Sequence, residues 1–282
     1  MTPLPFIKMH GLGNDFVVLD FRGRGNPLDA SGARAIADRR TGVGCDQVLA
    51  IEPAATELAD VFLRIYNPDG GEAEACGNGT RCVASLLMAE TGAEHVVIET
   101  VAGMRDAEAR PDDLVAVDMG PARDGWRDIP LTEAVDTLHL PISAGPLADG
   151  VAVNMGNPHA VFFVDDAATV DLARLGPVLE RDPLFPERAN IGVVQVLSRD
   201  RLRFRVWERG AGITRACGSG ACAALVAAHR RGLSERRVEV VLDGGILTIE
   251  WLADGHVMMT GPVATSFAGT LDPALLTNGI KS

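Results

Sequence analysis

The chain has 282 residues, and 47% of them are hydrophobic, which is enough for one large domain or two ordinary domains with substantial cores. Its formal net charge of −12 at pH 7 makes it a poor candidate for binding nucleic acid or an anionic membrane surface. The longest apolar run, 221–228, is far too short to cross a membrane, and the N-terminus lacks the apolar segment of a signal peptide, so we expect a cytoplasmic protein with no membrane partner.

The predicted elements follow the same plan in the two halves of the chain. Short β-rich runs, several of which alternate apolar and polar residues, predict strands at 15–21, 61–67, 95–100, 114–119, 159–164, 203–208, 238–242, 246–251 and 256–260. Two segments rich in Ala and Leu, 78–90 and 220–231, predict helices that stop at Gly92 and Gly232. We therefore expect strands around one main helix in each half.

The two halves also share sequence motifs in the same order. The stretch "YNPDGGEAEACGNG" (66–79) matches "WERGAGITRACGSG" (207–220), and the cysteines of the two stretches lie 141 positions apart. Three more blocks match, namely 13–20 with 156–165, 44–49 with 192–197, and 119–122 with 260–263. A period this long indicates one domain duplicated rather than a solenoid. We expect domains at 1–120 and 121–262, with the tail 263–282 packing on the first domain.

The five cysteines indicate neither a disulfide framework nor a metal site. Their number is odd, no C-x-x-C occurs, and no Cys/His cluster has the spacing of a zinc site. Cys45, Cys82 and Cys222 are predicted to be buried and inert. Cys76 and Cys217 instead lie at predicted helix N-termini, flanked by glycines, where N–H groups bind anions and lower a thiol pKa.

Two such thiols on opposite sides of a carbon atom suit racemisation or epimerisation next to a carboxylate. One thiolate would remove the Cα proton and the other thiol would protonate the opposite face, while N–H groups of the loops stabilise the carbanion. Pyridoxal phosphate, the usual alternative, needs a Schiff-base lysine. The chain has only Lys8, in an apparent first strand, and Lys281, near its end, so we expect chemistry without a cofactor.

Several longer motifs resemble one family over essentially the whole chain. They are "KMHGLGNDFVVLD" (8–20), "CDQ" (45–47), "YNPDGGEAEACGNGTRC" (66–82), "MGNPH" (155–159), "FPERAN" (185–190) and "ERGAGITRACGSGACAA" (208–224), and they resemble diaminopimelate epimerase. The resemblance implies an α+β fold of two pseudo-symmetric domains, each a β-barrel-like sheet around a central helix. It also implies a cofactor-independent homodimer that interconverts LL- and meso-diaminopimelate for lysine and peptidoglycan synthesis.

The resemblance further implies roles for individual residues. Cys76 and Cys217 would be the two acid/base residues, and His159 and Glu208 would adjust their pKa values. Substrate contacts would fall on Asn14, Gln47, Asn67, Gly77, Asn78, Asn157, Asn190, Glu208, Arg209, Gly218 and Ser219. The family often has a tyrosine at a dimer contact near the C-terminus, where this chain has Phe267.

Other functions compete with this interpretation. The chain could act on another amino acid, or it could be a non-catalytic amino-acid-binding module that leaves the Cα hydrogen of its ligand unexchanged. A thiol–disulfide redox protein is disfavoured because the two cysteines are far apart in sequence and no C-x-x-C exists. A cysteine hydrolase is disfavoured because no separate His/Asn pair is placed to serve a nucleophile.

Overall fold

The computed structural model describes residues 4–23, 25–272 and 274–275, so Lys281 and part of the predicted tail lie outside it. The described chain divides into two compact units. One unit contains the residues up to Val117 and those from Gly261 onward, and the other is Asp118–Thr260. Within the described ranges, no helix has the length and hydropathy needed to span a membrane.

The first unit is built mainly of strands. Its elements are β1 (Leu4–Gly11), β2 (Asn14–Asp20), α1 (Ala30–Ala37), β3 (Gln47–Pro53), β4 (Val61–Tyr66), β5 (Glu72–Ala73), α2 (Gly77–Thr91), β6 (His95–Thr100), β7 (Gly103–Arg110) and β8 (Leu114–Pro121). β1 pairs antiparallel with β2, which runs parallel to β3, and β3 pairs antiparallel with β4. β4 pairs with β5 and, in parallel, with β6, and β6, β7 and β8 form an antiparallel meander.

The second unit repeats this order. Its elements are β9 (Val151–Asn154), β10 (Pro158–Phe163), α3 (Leu172–Glu180), β11 (Asn190–Ser198), β12 (Arg201–Glu208), β13 (Gly212–Ile213), α4 (Gly218–Arg230), β14 (Arg237–Leu242), β15 (Gly245–Trp251) and β16 (His256–Pro262). The seven strand pairings of the first unit recur here with the same directions. A last strand, β17 (Ala264–Leu271), pairs antiparallel with β1 of the first unit.

The strand registers show which residues of the two units are equivalent. Gln47 begins β3 and pairs with Phe16, whereas Asn190 begins β11 and pairs with His159. Gln47 is therefore equivalent to Asn190. The predicted match of 44–49 with 192–197 is wrong, because it aligns Gln47 with Gln195, which lies well inside β11.

Each unit contains a second helix that was not predicted from the sequence. α1 has 8 residues and α3 has 9, and both begin after an aspartate whose side chain caps the first turn. Gly32 in α1, and Gly176 and Pro177 in α3, weaken the local helix signal. Tertiary packing overrides it: a Cβ on Gly176 would lie 2.5 Å from the Trp207 ring, so only glycine lets α3 approach β12 this closely.

The two predicted central helices are buried within their units. α4 buries ten of its thirteen residues, so it is apolar on all sides, as expected for a helix that strands surround. α2 ends at Thr91, and its C-cap residue Gly92 has a left-handed conformation with its N–H bonded to the Met88 carbonyl. Cys76 and Cys217 are the N-cap residues of α2 and α4, with extended rather than helical backbone. The fold thus places each cysteine at the N-terminus of a buried helix.

Candidate active site

Cys76 lies at the start of α2 with its thiol half-buried. Its Sγ accepts a hydrogen bond from the Gly79 N–H at 3.4 Å, as an N-cap side chain does. Its carbonyl accepts from the N–H of Thr80 at 2.8 Å and from the Thr80 hydroxyl at 3.0 Å. These contacts hold the cysteine backbone rigidly at the helix N-terminus.

Two predicted substrate contacts lie beside this thiol. Asn14, the first residue of β2, accepts a hydrogen bond from Asn78 Nδ2 at 3.1 Å, and its Oδ1 lies 3.9 Å from Cys76 Sγ. A separate hydrogen bond joins two other predicted substrate contacts. Gln47 Nε2, at the start of β3, donates to Oδ1 of Asn67, the residue after β4, at 2.9 Å. The first unit thus brings together Cys76, Asn14 and Asn78, and joins Gln47 to Asn67.

A charged cluster orients Asn14, and sequence reasoning missed it. Asn14 Nδ2 donates to Asp46 at 2.9 Å, and Arg39 bridges Asp46 to Asp15 at 2.7 and 2.6 Å. Lys8 is buried and donates to Asp15 at 2.6 Å. Burial tends to raise the pKa of Asp15, but the hydrogen bonds and charges of Arg39 and Lys8 outweigh it and lower that pKa to about 2. The signal available in the sequence was the acidic residue beside each amide, in "ND" and "DQ".

Cys217 lies in a more enclosed environment than Cys76, with 4% of its surface exposed. Its Sγ lies 3.7 Å from the Ser219 hydroxyl. Burial raises the pKa of this thiol well above its usual value, and the charge and hydrogen bond of the Glu208 carboxylate raise it further. The expectation that a helix N-terminus lowers this pKa is therefore wrong for Cys217, because desolvation and Glu208 dominate. Both effects favour the protonated, thiol form of Cys217.

A chain of polar contacts connects Cys217 to His159. The His159 Nε2 atom lies 2.8 Å from Asn157 Oδ1 and 3.1 Å from Ser219 Oγ. Burial, with a smaller contribution from Arg209, lowers the pKa of His159 to about 3, so the ring is neutral at physiological pH. Because an amide oxygen only accepts, Nε2 carries the proton. His159 is therefore a neutral ring whose single Nε2–H donates to Asn157 and lies close to the Ser219 hydroxyl.

Asn190, the first residue of β11, lies beside Glu208 and Arg209 at the end of β12. Asn190 Oδ1 accepts from the Arg209 backbone N–H at 2.9 Å, and Asn190 Nδ2 donates to the Pro158 carbonyl at 3.3 Å. The Arg209 guanidinium donates to the Glu187 carbonyl at 2.8 Å. Glu208 accepts a hydrogen bond from the hydroxyl of Thr214, a residue that was not predicted from the sequence to belong to the site. Asn190 and Arg209 are thus joined beside the carboxylate that influences Cys217.

The other predicted site residues lie at the starts of the two central helices and on the last strand. Gly77 and Gly218 are the first helical residues after the two cysteines. Phe267 lies on β17 in the first unit with 51% of its surface exposed, and its ring meets Phe6 edge-on at 5.9 Å. The catalytic, substrate-binding and dimerisation roles, and the facing of the two cysteines, remain predictions.

The other three cysteines are buried, and none of the five forms a disulfide. Burial raises the pKa of both Cys45 and Cys82 to about 12, so neither supplies a thiolate at neutral pH. Among the residues that the structure describes, no group of three or more His, Cys, Asp or Glu side chains is arranged to hold a metal ion.

Glu208→Gln should lower the pKa of the Cys217 thiol, because it removes the carboxylate charge that favours the protonated form. Alkylation of Cys217 by iodoacetamide, followed by peptide mass spectrometry across a pH series, should become several-fold faster at pH 8. Glu187→Gln is the matched control, because Glu187 is exposed and contacts Arg209 only through its backbone carbonyl. An unchanged pH profile in Glu208→Gln would show that Glu208 does not influence the sulfur.

Comparison with known families identifies relatives that span nearly the whole chain. The family model described as diaminopimelate epimerase matches residues 6–124 and 151–266. A diaminopimelate epimerase from Rhodospirillum centenum is 62% identical, covering 98% of this chain and 95% of the relative. One from Acidiphilium cryptum is 58% identical, covering 96% of this chain and 98% of the relative.

Solved structures share the fold at low sequence identity. A hydroxyproline epimerase from Agrobacterium vitis, solved with bound trans-4-hydroxy-L-proline, has a TM-score of 0.69 at 17% identity, covering 98% of this chain and 94% of that one. A phenazine biosynthesis protein of the PhzF family from Bacillus anthracis has a TM-score of 0.68 at 15% identity, covering 96% and 100%. Together with the family model, they confirm the predicted α+β fold of two pseudo-symmetric halves.

Proposed function

Since the chain belongs to the diaminopimelate epimerase family, we propose that it interconverts LL- and meso-2,6-diaminopimelate without a cofactor, in lysine and peptidoglycan synthesis. One observation carries the proposal beyond the family likeness. Each of the two duplicated units has a cysteine as the N-cap of its buried central helix, followed by a glycine. A two-base inversion of one carbon uses one acid/base group on each of its faces, and the duplication supplies two.

In the proposed mechanism, Cys76 and Cys217 act on opposite faces of the substrate Cα. With Cys217 protonated, the Cys76 thiolate removes the Cα proton, and the Cys217 thiol then donates its own proton to the other face. The step leaves Cys76 as a thiol and Cys217 as a thiolate, so the reverse reaction uses the same two groups with exchanged roles. The mechanism requires the two sulfurs to lie across one ligand at near-attack distance.

The intermediate carbanion needs stabilisation because its charge spreads onto the α-carboxylate. The N–H groups of Gly77 and Asn78, and those of Gly218 and Ser219, belong to the first turns of α2 and α4. N–H groups at the start of a helix carry the positive end of the helix dipole, which favours a bound anion. We assign these two helix starts to the α-carboxylate, where preorganised donors stabilise the enediolate-like charge.

The predicted substrate contacts suit the distal end of a diamino dicarboxylate. In this proposal Arg209 binds the distal carboxylate through two parallel hydrogen bonds, and Asn67, Asn157 and Asn190 add neutral donors and acceptors. The Glu208 carboxylate suits an ammonium group. Gln47 donates a hydrogen bond to Asn67 and thereby fixes the orientation of its amide.

A cofactor-free reaction also agrees with the surroundings of Lys8. Its ammonium group is buried in the ion pair with Asp15 at 2.6 Å, so it serves the charged cluster behind Asn14. A Schiff-base lysine would instead have to reach the carbonyl carbon of a bound cofactor.

The test of the proposed function is incubation of the pure protein with LL-diaminopimelate, without added cofactor, followed by chiral analysis. We expect meso-diaminopimelate to accumulate until the two isomers reach equilibrium. L-Lysine and trans-4-hydroxy-L-proline serve as comparison substrates. Turnover of either one in place of LL-diaminopimelate would show that the substrate assignment is wrong. Binding without any Cα hydrogen exchange would identify a non-catalytic binding module.

We also propose that the enzyme is a cytoplasmic homodimer whose contact includes β17. This strand has mostly exposed side chains, and Phe267 is half exposed despite its contact with Phe6. Phe267→Ser should weaken the dimer at least about tenfold, because burying a phenylalanine contributes roughly 1.5–3 kcal/mol. Sedimentation across a concentration series measures this change. Val178→Ser, at an exposed apolar position on α3, is the control. Equal dimer dissociation constants for the unchanged protein and both variants would show that Phe267 is not part of the dimer contact.

A further inference from the structure

The turn that carries Glu208 and Arg209 is short, and its tip is exposed. It joins β12 to β13, and Ala211 N–H bonds the Glu208 carbonyl at 3.1 Å. Gly210 and Gly212 both have positive φ, and Arg209 and Gly210 are exposed. A short exposed turn with two glycines has high conformational freedom in the absence of an external anchor. The positions of Glu208 and Arg209 therefore depend on the contacts that the turn makes with residues outside it.

That anchor is Glu180, the last residue of α3. Its side chain is a carboxylate with only 3% of its surface exposed. One oxygen accepts from the Trp207 indole N–H at 2.7 Å, and the other accepts from the Gly210 backbone N–H at 3.3 Å. The two donors lie on either side of Glu208 and Arg209 in sequence. One carboxylate thus holds both ends of the segment that carries them.

Glu180 also holds the loop on which Asn190 lies. Its backbone carbonyl accepts from the Ala189 N–H at 3.2 Å, and its carboxylate lies 3.6 Å from the Arg188 guanidinium. Arg188 has a φ of 60°, an uncommon conformation for a residue with a side chain, which requires support from its surroundings. Asn190 then bonds the Arg209 N–H. The loop and the turn therefore meet at Glu180, the loop through its backbone carbonyl and carboxylate and the turn through its carboxylate.

The first unit anchors its equivalent turn from the equivalent helix, but with different chemistry. There Arg34 of α1 donates to the Asp69 carbonyl at 3.0 Å, and a Cβ on Gly70 would lie 2.3 Å from the Ala30 carbonyl. Asp69 and Gly210 are 141 positions apart, so both helices contact the same position of the duplicated turn. In the first unit the anchor is an exposed arginine, whereas in the second it is a buried carboxylate.

We infer that Glu180 is a positioning residue for substrate recognition, which fixes Arg209 and Asn190 in the geometry that binds the distal carboxylate of the substrate. The inference rests on the proposed function for the identity of that ligand. Glu180 does not touch the substrate in this account. It acts by holding the turn and the loop together before the ligand arrives, so that binding does not have to order them.

Glu180→Gln tests the inference with an isosteric side chain. An amide has one accepting oxygen and a donating NH2, so it cannot accept from Trp207, Gly210 and Arg188 together, and one donor is left facing another. We expect KM for LL-diaminopimelate to rise about tenfold while kcat stays within about twofold, because distal binding is the same in the ground and transition states. Hydrogen exchange of the peptide containing Gly210 should also become faster.

Glu187→Gln is the matched control, because it removes the same charge from an exposed side chain on the same loop. We expect its KM and its exchange at Gly210 to match those of the unchanged protein. If Glu180→Gln lowers the melting temperature substantially, Glu180→Asp replaces it, because a carboxylate one methylene shorter keeps the charge but cannot reach both Trp207 and Gly210.

The two readouts separate the inference from the proposed function. Exchange at Gly210 reports the anchor whether or not the protein turns over diaminopimelate, so an inactive unchanged protein contradicts the proposed function alone. Unchanged exchange and unchanged KM in Glu180→Gln would overturn the inference. Parallel losses of kcat and thermal stability, without a specific rise in KM, would also overturn it, because they would show a purely structural role.

Discussion

Cys76→Ala and Cys217→Ala should each reduce epimerisation by a factor on the order of 10⁴, because either change leaves one face of Cα without an acid or base. Alanine is the informative replacement at both N-caps, since it removes the sulfur and adds no new group. Chiral analysis of the product from LL-diaminopimelate, and from meso-diaminopimelate in the reverse direction, measures the loss in both directions.

Cys82→Ala and Cys222→Ala are the matched controls for the catalytic cysteines. Both residues are fully buried in the same two central helices, and the pKa of Cys82 is raised to about 12 by burial. We expect their turnover to stay within a few-fold of the unchanged protein, with some loss of stability from the missing sulfur. Near-normal turnover in Cys76→Ala or Cys217→Ala would refute the two-base mechanism.

The same mechanism predicts where solvent hydrogen enters the product. In deuterated water, LL-diaminopimelate should give meso product with deuterium at the inverted centre, because the donor thiol has exchanged with solvent. Substrate recovered early should remain largely protiated, because the abstracting thiol can return only the proton that it removed. Product that retains the hydrogen of the substrate would instead indicate one base serving both faces.

Arg209→Lys should lower kcat/KM for LL-diaminopimelate about a hundredfold. A lysine ammonium is a point charge and cannot reproduce the two parallel hydrogen bonds of a guanidinium to a carboxylate. The backbone N–H bond from this residue to Asn190 is kept in the variant, so the change acts on the side chain alone, which in the unchanged protein donates to the Glu187 carbonyl at 2.8 Å. Steady-state kinetics measures the effect.

Arg199→Lys is the control for Arg209. Arg199 lies in the turn before β12, whereas Arg209 follows that strand, and its exposed side chain forms an ion pair with Glu235 at 2.7 Å. An exposed pair of this kind contributes little, so we expect unchanged kinetics. A change in Arg209→Lys no larger than that in Arg199→Lys would show that Arg209 does not bind the distal carboxylate.

Much of the fold and of the candidate site could be predicted from the sequence because the signals are local. The β-rich runs mark the strands 95–100 and 246–251, and the apolar segments after the cysteines mark the central helices, which the structure has at Gly77–Thr91 and Gly218–Arg230. The repeated cysteine-glycine stretch indicates the duplication and the helix N-termini, since both features belong to contiguous residues.

Only the tertiary structure decided the features that depend on distant residues. The equivalence of Gln47 and Asn190 follows from strand register, which local similarity at 44–49 obscured. The short helix α3 packs closely on Trp207 through Gly176, although its sequence has only a weak helical preference.

The chemistry of the site also depends on contacts between residues that are far apart in sequence. A helix N-terminus by itself predicts a lowered pKa for Cys217, but burial and the Glu208 carboxylate raise it instead. Likewise, nothing near Glu180 in the sequence indicates that it accepts hydrogen bonds from Trp207 and Gly210. Burial and electrostatic interaction depend on distance in space, which the order of residues along the chain does not specify.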